Sequence, residues 1–166
     1  MYKKIENGVR RLRSPSASSE LTVYYWLEPV VREGTDWFLF TAVCRSGLVM
    51  SGLARCAEEK ERYFQALAIR LKRYLPGFRL EQKREANLEA INEFKEYLQG
   101  QRRQFTLKRY PLGTAFQRKV WQELEKIPYG ETCSYSDIAR RVDCPQGQRA
   151  VGMANNKNPL GVVVPC

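Results

Sequence analysis

The chain has no histidine, and that absence narrows its chemistry more than any residue present. Without an imidazole the sequence holds no Ser-His-Asp triad, no histidine-ligated zinc and no histidine general base. Cysteine is sparse and unpatterned. Cys44, Cys56, Cys133, Cys144 and Cys166 are odd in number and form no C-x-x-C pair, so neither a closed disulfide framework nor a zinc ribbon is indicated. Reduced thiols fit a cytosol-like compartment. No run approaches the roughly 18–20 apolar residues that cross a bilayer, and the N-terminal MYKKIENGVRRLR lacks the apolar stretch of a signal peptide. The expectation is a cytoplasmic protein (nuclear if eukaryotic) without a membrane partner, metal or cofactor.

What remains is a basic chain of 166 residues, long enough for one compact domain or two small subdomains. Its net charge of +10 is unevenly spread: residues 1–111 carry +8 and residues 112–166 carry +2. Such a surface is drawn to polyanions, nucleic acid first among them. The first 20 residues mix basic side chains with Ser14, Pro15, Ser16, Ser18 and Ser19, which reads as a flexible basic arm. Segments 21–27, 36–44 and 47–53 are short and rich in β-branched and aromatic residues, with a glycine turn at Arg45-Ser46-Gly47 between the last two. They predict a small antiparallel sheet.

Helical periodicity follows. Tyr63, Phe64, Leu67, Leu71, Tyr74 and Leu75 predict a helix over 57–75, stopped by Pro76-Gly77, and Leu88, Ile91, Phe94 and Leu98 predict another over 86–99. A basic connector over 101–113 puts a subdomain boundary near Tyr110. Thr114 and Gln117 have capping-box spacing at the head of a third helix, with Phe116, Val120, Trp121, Leu124 and Ile127 as its apolar stripe. Ser134 and Asp137 repeat that logic. After Asp143-Cys144-Pro145 a last helix runs to about Asn155, with Ala150, Val151 and Met153 as core candidates. The spans 134–142 and 146–155 form either a helix-turn-helix presenting Gln148, Arg149 and Asn155 or Asn156 to DNA, or a helix hairpin that completes the core. Beyond it, Asn158-Pro159 and Gly161 mark a turn, and Val162-Val163-Val164 reads as a buried strand ending at Pro165-Cys166. Cys166 is then either an inert core thiol or a positioned nucleophile.

The pattern F-Q-x-x-V-W-x-x-L-x-x-I-P-x-G-x-T-x-S-Y from Phe116 to Tyr135, followed by Ile138-Ala139, Arg149-Ala150-Val151-Gly152, Asn158-Pro159 and Val164-Pro165-Cys166, resembles the methylated-DNA–protein-cysteine methyltransferases, the alkylguanine-DNA alkyltransferases. The resemblance implies an α+β chain: a ribonuclease-H-like subdomain over 21–110, then a helix-turn-helix and acceptor-cysteine subdomain over 111–166. It implies a single-turnover DNA-repair reaction on double-stranded DNA containing alkylated guanine, carried out by a monomer. Cys166 matches the acceptor of the alkyl group from guanine O6. Arg149 matches the arginine that fills the gap left by the extruded nucleotide, and Tyr135 the tyrosine that crowds the neighbouring phosphate. Asn158 matches the asparagine bracing the active-site turn. Ser134, Gln148 and Asn155 join the expected DNA-binding set.

Two departures from the family pattern bear on these expectations. The family continues Pro-Cys-His-Arg-Val, so the resemblance implies a chain truncated directly after the acceptor, whose terminal carboxylate opposes thiolate formation and lowers activity. Asp143 stands where the family has glycine and Gly147 where it has alanine. Asp tolerates left-handed backbone angles, whereas a glycine inside the recognition helix is expected to weaken it by up to about 1 kcal/mol. The alternative to the enzyme is a non-catalytic lesion-binding or helix-turn-helix regulatory module.

Overall fold

Alternating side chains build the sheet. Strands β2 (Leu21–Arg32), β3 (Thr35–Cys44) and β4 (Gly47–Ala54) form an antiparallel meander. The structure is a computed structural model that describes the backbone of residues 12–13 and all of residues 20–165. Most of the expected basic arm, and Cys166, lie outside the described residues. Glu33 and Gly34 close the first hairpin with φ of 51° and 73°, the two left-handed angles of a tight two-residue turn that matches strand twist. β2 therefore runs five residues further than its apolar core suggests. Pro29 lies beyond Tyr25, the last β2 residue paired to a second neighbour, so its missing N–H interrupts no central ladder.

The α+β class is as expected, but the sheet is mixed rather than purely antiparallel. Strand β5 (Phe78–Gln82) pairs parallel to the start of β2, and the two-residue β1 (Leu12–Arg13) pairs antiparallel to β5, giving the order β1-β5-β2-β3-β4. Parallel pairing needs a crossover connection. Helix α1 (Ala57–Tyr74) supplies it, with Glu58 and Glu59 in its first turn and Lys72 and Arg73 in its last, both favourable to the helix dipole. Phe78 and Leu80 alternate inward from β5 to join Phe64, Leu67 and Leu71 of α1.

The opposite face of the sheet carries the rest. Leu39 and Leu48 turn there, against Phe94 of α2 (Leu88–Leu98) and against Val120, Trp121 and Leu124 of α3 (Ala115–Leu124). Helices α4 (Tyr135–Arg141) and α5 (Gln148–Asn156) close over α3 and add Ile138, Ala139, Val151 and Ala154 to that cluster. Both capping boxes form: Gln117 N donates to Thr114 Oγ1 at 3.2 Å and Asp137 N to Ser134 Oγ at 3.1 Å, each with the reciprocal bond. Each is worth about 1 kcal/mol to its helix. No helix among the described residues is long and apolar enough to cross a membrane.

Three further expectations are corrected. Residues 162–164 are not a strand but a turn, for a reason given below. Met153 is no core residue: α5 turns Val151, Ala154 and Asn155 inward, at i, i+3 and i+4, which leaves Met153 69% exposed and Ala150 exposed beside it. Gly147 caps α5 from outside and does not interrupt it. A Cβ there would lie 2.9 Å from the Cys144 carbonyl oxygen, so glycine is what the close approach of the turn requires. Asp143 does adopt the left-handed conformation anticipated for it, at φ 59°, while its carboxylate takes Lys119 of α3 at 2.5 Å.

Candidate DNA interface and acceptor turn

The short α4 and α5 meet through Tyr135 and Asn155. Tyr135 opens α4 directly after its Ser134 cap, and its ring lies over α5 at Gly152, where an added Cβ would stand 3.2 Å from the ring edge. Asn155 Nδ2 donates to Tyr135 Oη at 3.1 Å. With that lone pair engaged, the tyrosine hydroxyl proton is directed elsewhere, and the ring remains 44% exposed. Asn155 itself is only 5% exposed. Its side chain is therefore turned toward Tyr135 and the core, while Asn156 is the neighbour left on the surface. Replacing Asn155 with Leu is expected to leave stability nearly unchanged, because a polar group is removed with its volume retained. Duplex affinity should fall by roughly 2- to 10-fold as Tyr135 loses its anchor, measured by fluorescence anisotropy.

The other expected contacts lie at the surface. Gln148 is the first residue of α5, exposed, with Nε2 donating to Pro145 O at 2.9 Å. Arg149 follows it, exposed, and makes no hydrogen bond or ion pair among the described residues. Ser134 is exposed but spends its hydroxyl on the α4 cap. The Ser134 hydroxyl and amide, with the Arg140 guanidinium, hold the Asp137 carboxyl below its ordinary pKa. Arg140 is thus partly neutralised, whereas Arg149, the one cation of α5, has no ion-pair partner among the described residues. Met153 stands one helical turn further along the same exposed face. Periodicity alone could have revealed it, had α5 been phased on Val151 and Asn155.

After α5 the chain turns sharply. Asn158 braces the turn from both sides: its Oδ1 accepts from Leu160 N at 2.9 Å and its Nδ2 donates to Val164 O at 3.1 Å. Val164 N also donates back to Leu160 O at 2.9 Å. This loop-back forces Val162 to φ 75°, a conformation that costs a β-branched residue about 1–3 kcal/mol. A strand over 162–164 is incompatible with those bonds. Val163 and Val164 are buried all the same, which is why the apolar run resembles a strand in the sequence. The turn delivers Pro165, the residue before Cys166.

A third contact joins the two halves of the molecule. Arg70 of α1 donates to Leu112 O and, at 2.7 Å, to Lys157 O at the end of α5. Its guanidinium lies 5.8 Å from the centre of the Trp121 ring, and burial lowers its pKa. The sequence pattern gives no hint of this strut.

Comparison with known proteins agrees with this geometry. Residues 115–166 match the family model described as "6-O-methylguanine DNA methyltransferase, DNA binding domain". Methylated-DNA–protein-cysteine methyltransferases are similar over about half of the chain. The constitutive protein of Bacillus subtilis is 52% identical over 87 residues, covering 52% of this chain and 53% of the relative. That of Methanosarcina acetivorans is 46% identical over 78 residues, covering 47% and 50%. This chain thus spans about half the length of the curated relatives it matches. The solved O6-methylguanine methyltransferase of Mycobacterium tuberculosis aligns with TM-score 0.62 at 29% identity, over 87% of this chain and 76% of that one. The Mycobacterium tuberculosis OGT crystallised with DNA aligns with TM-score 0.60 at 26% identity, over 87% and 75%. The chain is an α+β protein whose residues 115–166 match the DNA-binding-domain model of the O6-methylguanine DNA methyltransferases, and whose fold is similar to that of a solved O6-methylguanine methyltransferase over 87% of its length.

Proposed function

We propose that the chain repairs DNA by direct, stoichiometric transfer of an alkyl group, chiefly methyl, from guanine O6 in duplex DNA to the sulfur of Cys166. The observation that carries this reading is the pairing of two features at opposite ends of one helix. An exposed, unpaired Arg149 opens α5, and the Asn158-braced turn that leads to Cys166 follows its end. A stacked guanine hides its O6 substituent from a cysteine, so the base must leave the stack, at a cost of a few kcal/mol. Arg149 offsets part of that cost by entering the minor groove and filling the gap, while Tyr135 crowds the adjacent phosphate and Ser134 and Gln148 add backbone contacts. The Cys166 thiolate then attacks the alkyl carbon. A carbon–sulfur bond forms, the carbon–O6 bond breaks, and the electron pair stays on guanine, which takes up a proton. One sulfur serves one lesion, so a monomer acting on double-stranded DNA suffices.

Intact-mass analysis of the chain after incubation with a duplex bearing O6-methylguanine tests this. The expected result is a gain of one methyl group, mapped to the peptide holding Cys166 and absent in Cys166→Ala. Tight binding to the alkylated duplex with no gain in mass would replace the enzyme with a lesion-binding module. Arg149→Ala is expected to slow transfer from duplex by about 10- to 100-fold, the worth of roughly 1–3 kcal/mol of base-extrusion free energy. Transfer from the free alkylated nucleobase, which needs no extrusion, should be unaffected. Equal losses on both substrates would remove Arg149 from that role.

A further inference from the structure

We propose that Ser51, on the edge strand of the sheet, is a positioning residue for the alkyl acceptor; the inference rests on the reaction assigned to Cys166 above. Edge strands carry unpaired backbone groups, and β4 satisfies some of its own against the turn that leads to the cysteine. Ser51 N donates to Pro159 O at 2.8 Å and Gly161 N donates to Ser51 O at 3.1 Å. The side chain adds a third bond, Ser51 Oγ to Gly161 O at 2.9 Å. Ser51 is buried, so these bonds form away from water. At Gly161 a Cβ would stand 3.1 Å from the Ser51 carbonyl oxygen, so the two backbones lie closer than a side chain there would fit without a small shift. Asn158 braces the turn from within, and Ser51 ties it to the sheet. One side chain, more than a hundred residues upstream in sequence, thereby sets where Pro165 and the acceptor after it are presented. The N-terminal sheet is in this way part of the transfer machinery and not merely attached to it.

Ser51→Ala keeps the two backbone bonds and deletes only the third. Losing one such bond shifts a local equilibrium by about tenfold. In single-turnover transfer at saturating O6-methylguanine duplex, the expected result is a rate constant lowered roughly tenfold with duplex affinity unchanged. Amide hydrogen exchange at Gly161 and Val164 should accelerate by a similar factor, and Ser51→Thr, which retains the hydroxyl, should recover both. Wild-type exchange at Gly161 and Val164 in Ser51→Ala would overturn the proposal, as would a parallel loss of rate and affinity, the mark of general destabilisation. Should the unaltered chain gain no methyl group, the reaction itself fails, and the exchange measurement still decides whether Ser51 fixes the turn.

Discussion

Trp121→Ala is expected to cost about 3–5 kcal/mol of stability and to abolish duplex binding with it. Trp121 is 1% exposed and has the largest fully buried side chain among the described residues. Its Nε1 donates to Ala154 O at 2.9 Å, tying α3 to the last turn of α5. The Arg70 strut passes over its ring, and Gly113 abuts its far edge. Truncation therefore empties a cavity at the junction of sheet, connector and the α4–α5 pair, and removes one of the two hydrogen bonds that the Ala154 carbonyl accepts, the other coming from Lys157 N at 3.1 Å. Urea unfolding should show a midpoint reduced in proportion. Trp121→Phe separates the two terms: it keeps most of the volume and removes only the indole hydrogen bond, leaving the carbonyl to Lys157 N, for about 1 kcal/mol. A cost below 1 kcal/mol for the alanine variant would mean that α3 and α5 are held mainly by other contacts.

The elements legible in the sequence, in both halves of the chain, are those whose signals are local. Thr114–Gln117 and Ser134–Asp137 are capping boxes by spacing alone, and both form. The hairpin at Arg45-Ser46 and the helix over 57–74 follow from turn chemistry and a 3.6-residue period. Features decided by distant partners were hidden. β5 is five residues with only two inward apolar side chains, too short to stand out until α1 carries it back beside β2. Val162-Val163-Val164 has the composition of a strand, but Asn158 and Leu160 draw Val164 back into a turn. Asn155 reads as polar and therefore external, yet its neighbours Val151 and Ala154 face the core and take it with them. Ser51 carries no motif at all; only its register opposite Leu160 makes it a site residue.

The sheet that presents Ser51 has an electrostatic fastening of its own, and acid should release it. Glu28 on β2 is 5% exposed, and Arg84 reaches it through two hydrogen bonds at 2.8 and 2.9 Å. Lys95 of α2 adds a third at 2.7 Å and Trp26 Nε1 a fourth at 3.0 Å. Arg84 first, then Lys95 and Trp26, outweigh the opposing effect of burial and lower the carboxyl pKa from 4.5 to about 2. A carboxyl depressed by folding stabilises the native state fully above its unfolded pKa, and loses that contribution as pH falls toward its folded pKa. Because Arg84 and Lys95 are themselves partly solvated, the contribution is about 2 kcal/mol, less than the shift alone would give. Glu28→Gln is expected to unfold about 2 kcal/mol more easily than the unaltered chain at pH 7. The gap should hold down to about pH 5 and close between there and pH 2, read from denaturant midpoints across that range. A gap that stayed constant from pH 6 to pH 3 would show that folding does not depress the Glu28 carboxyl, and that the cost of Glu28→Gln comes from lost hydrogen bonds and packing instead of charge.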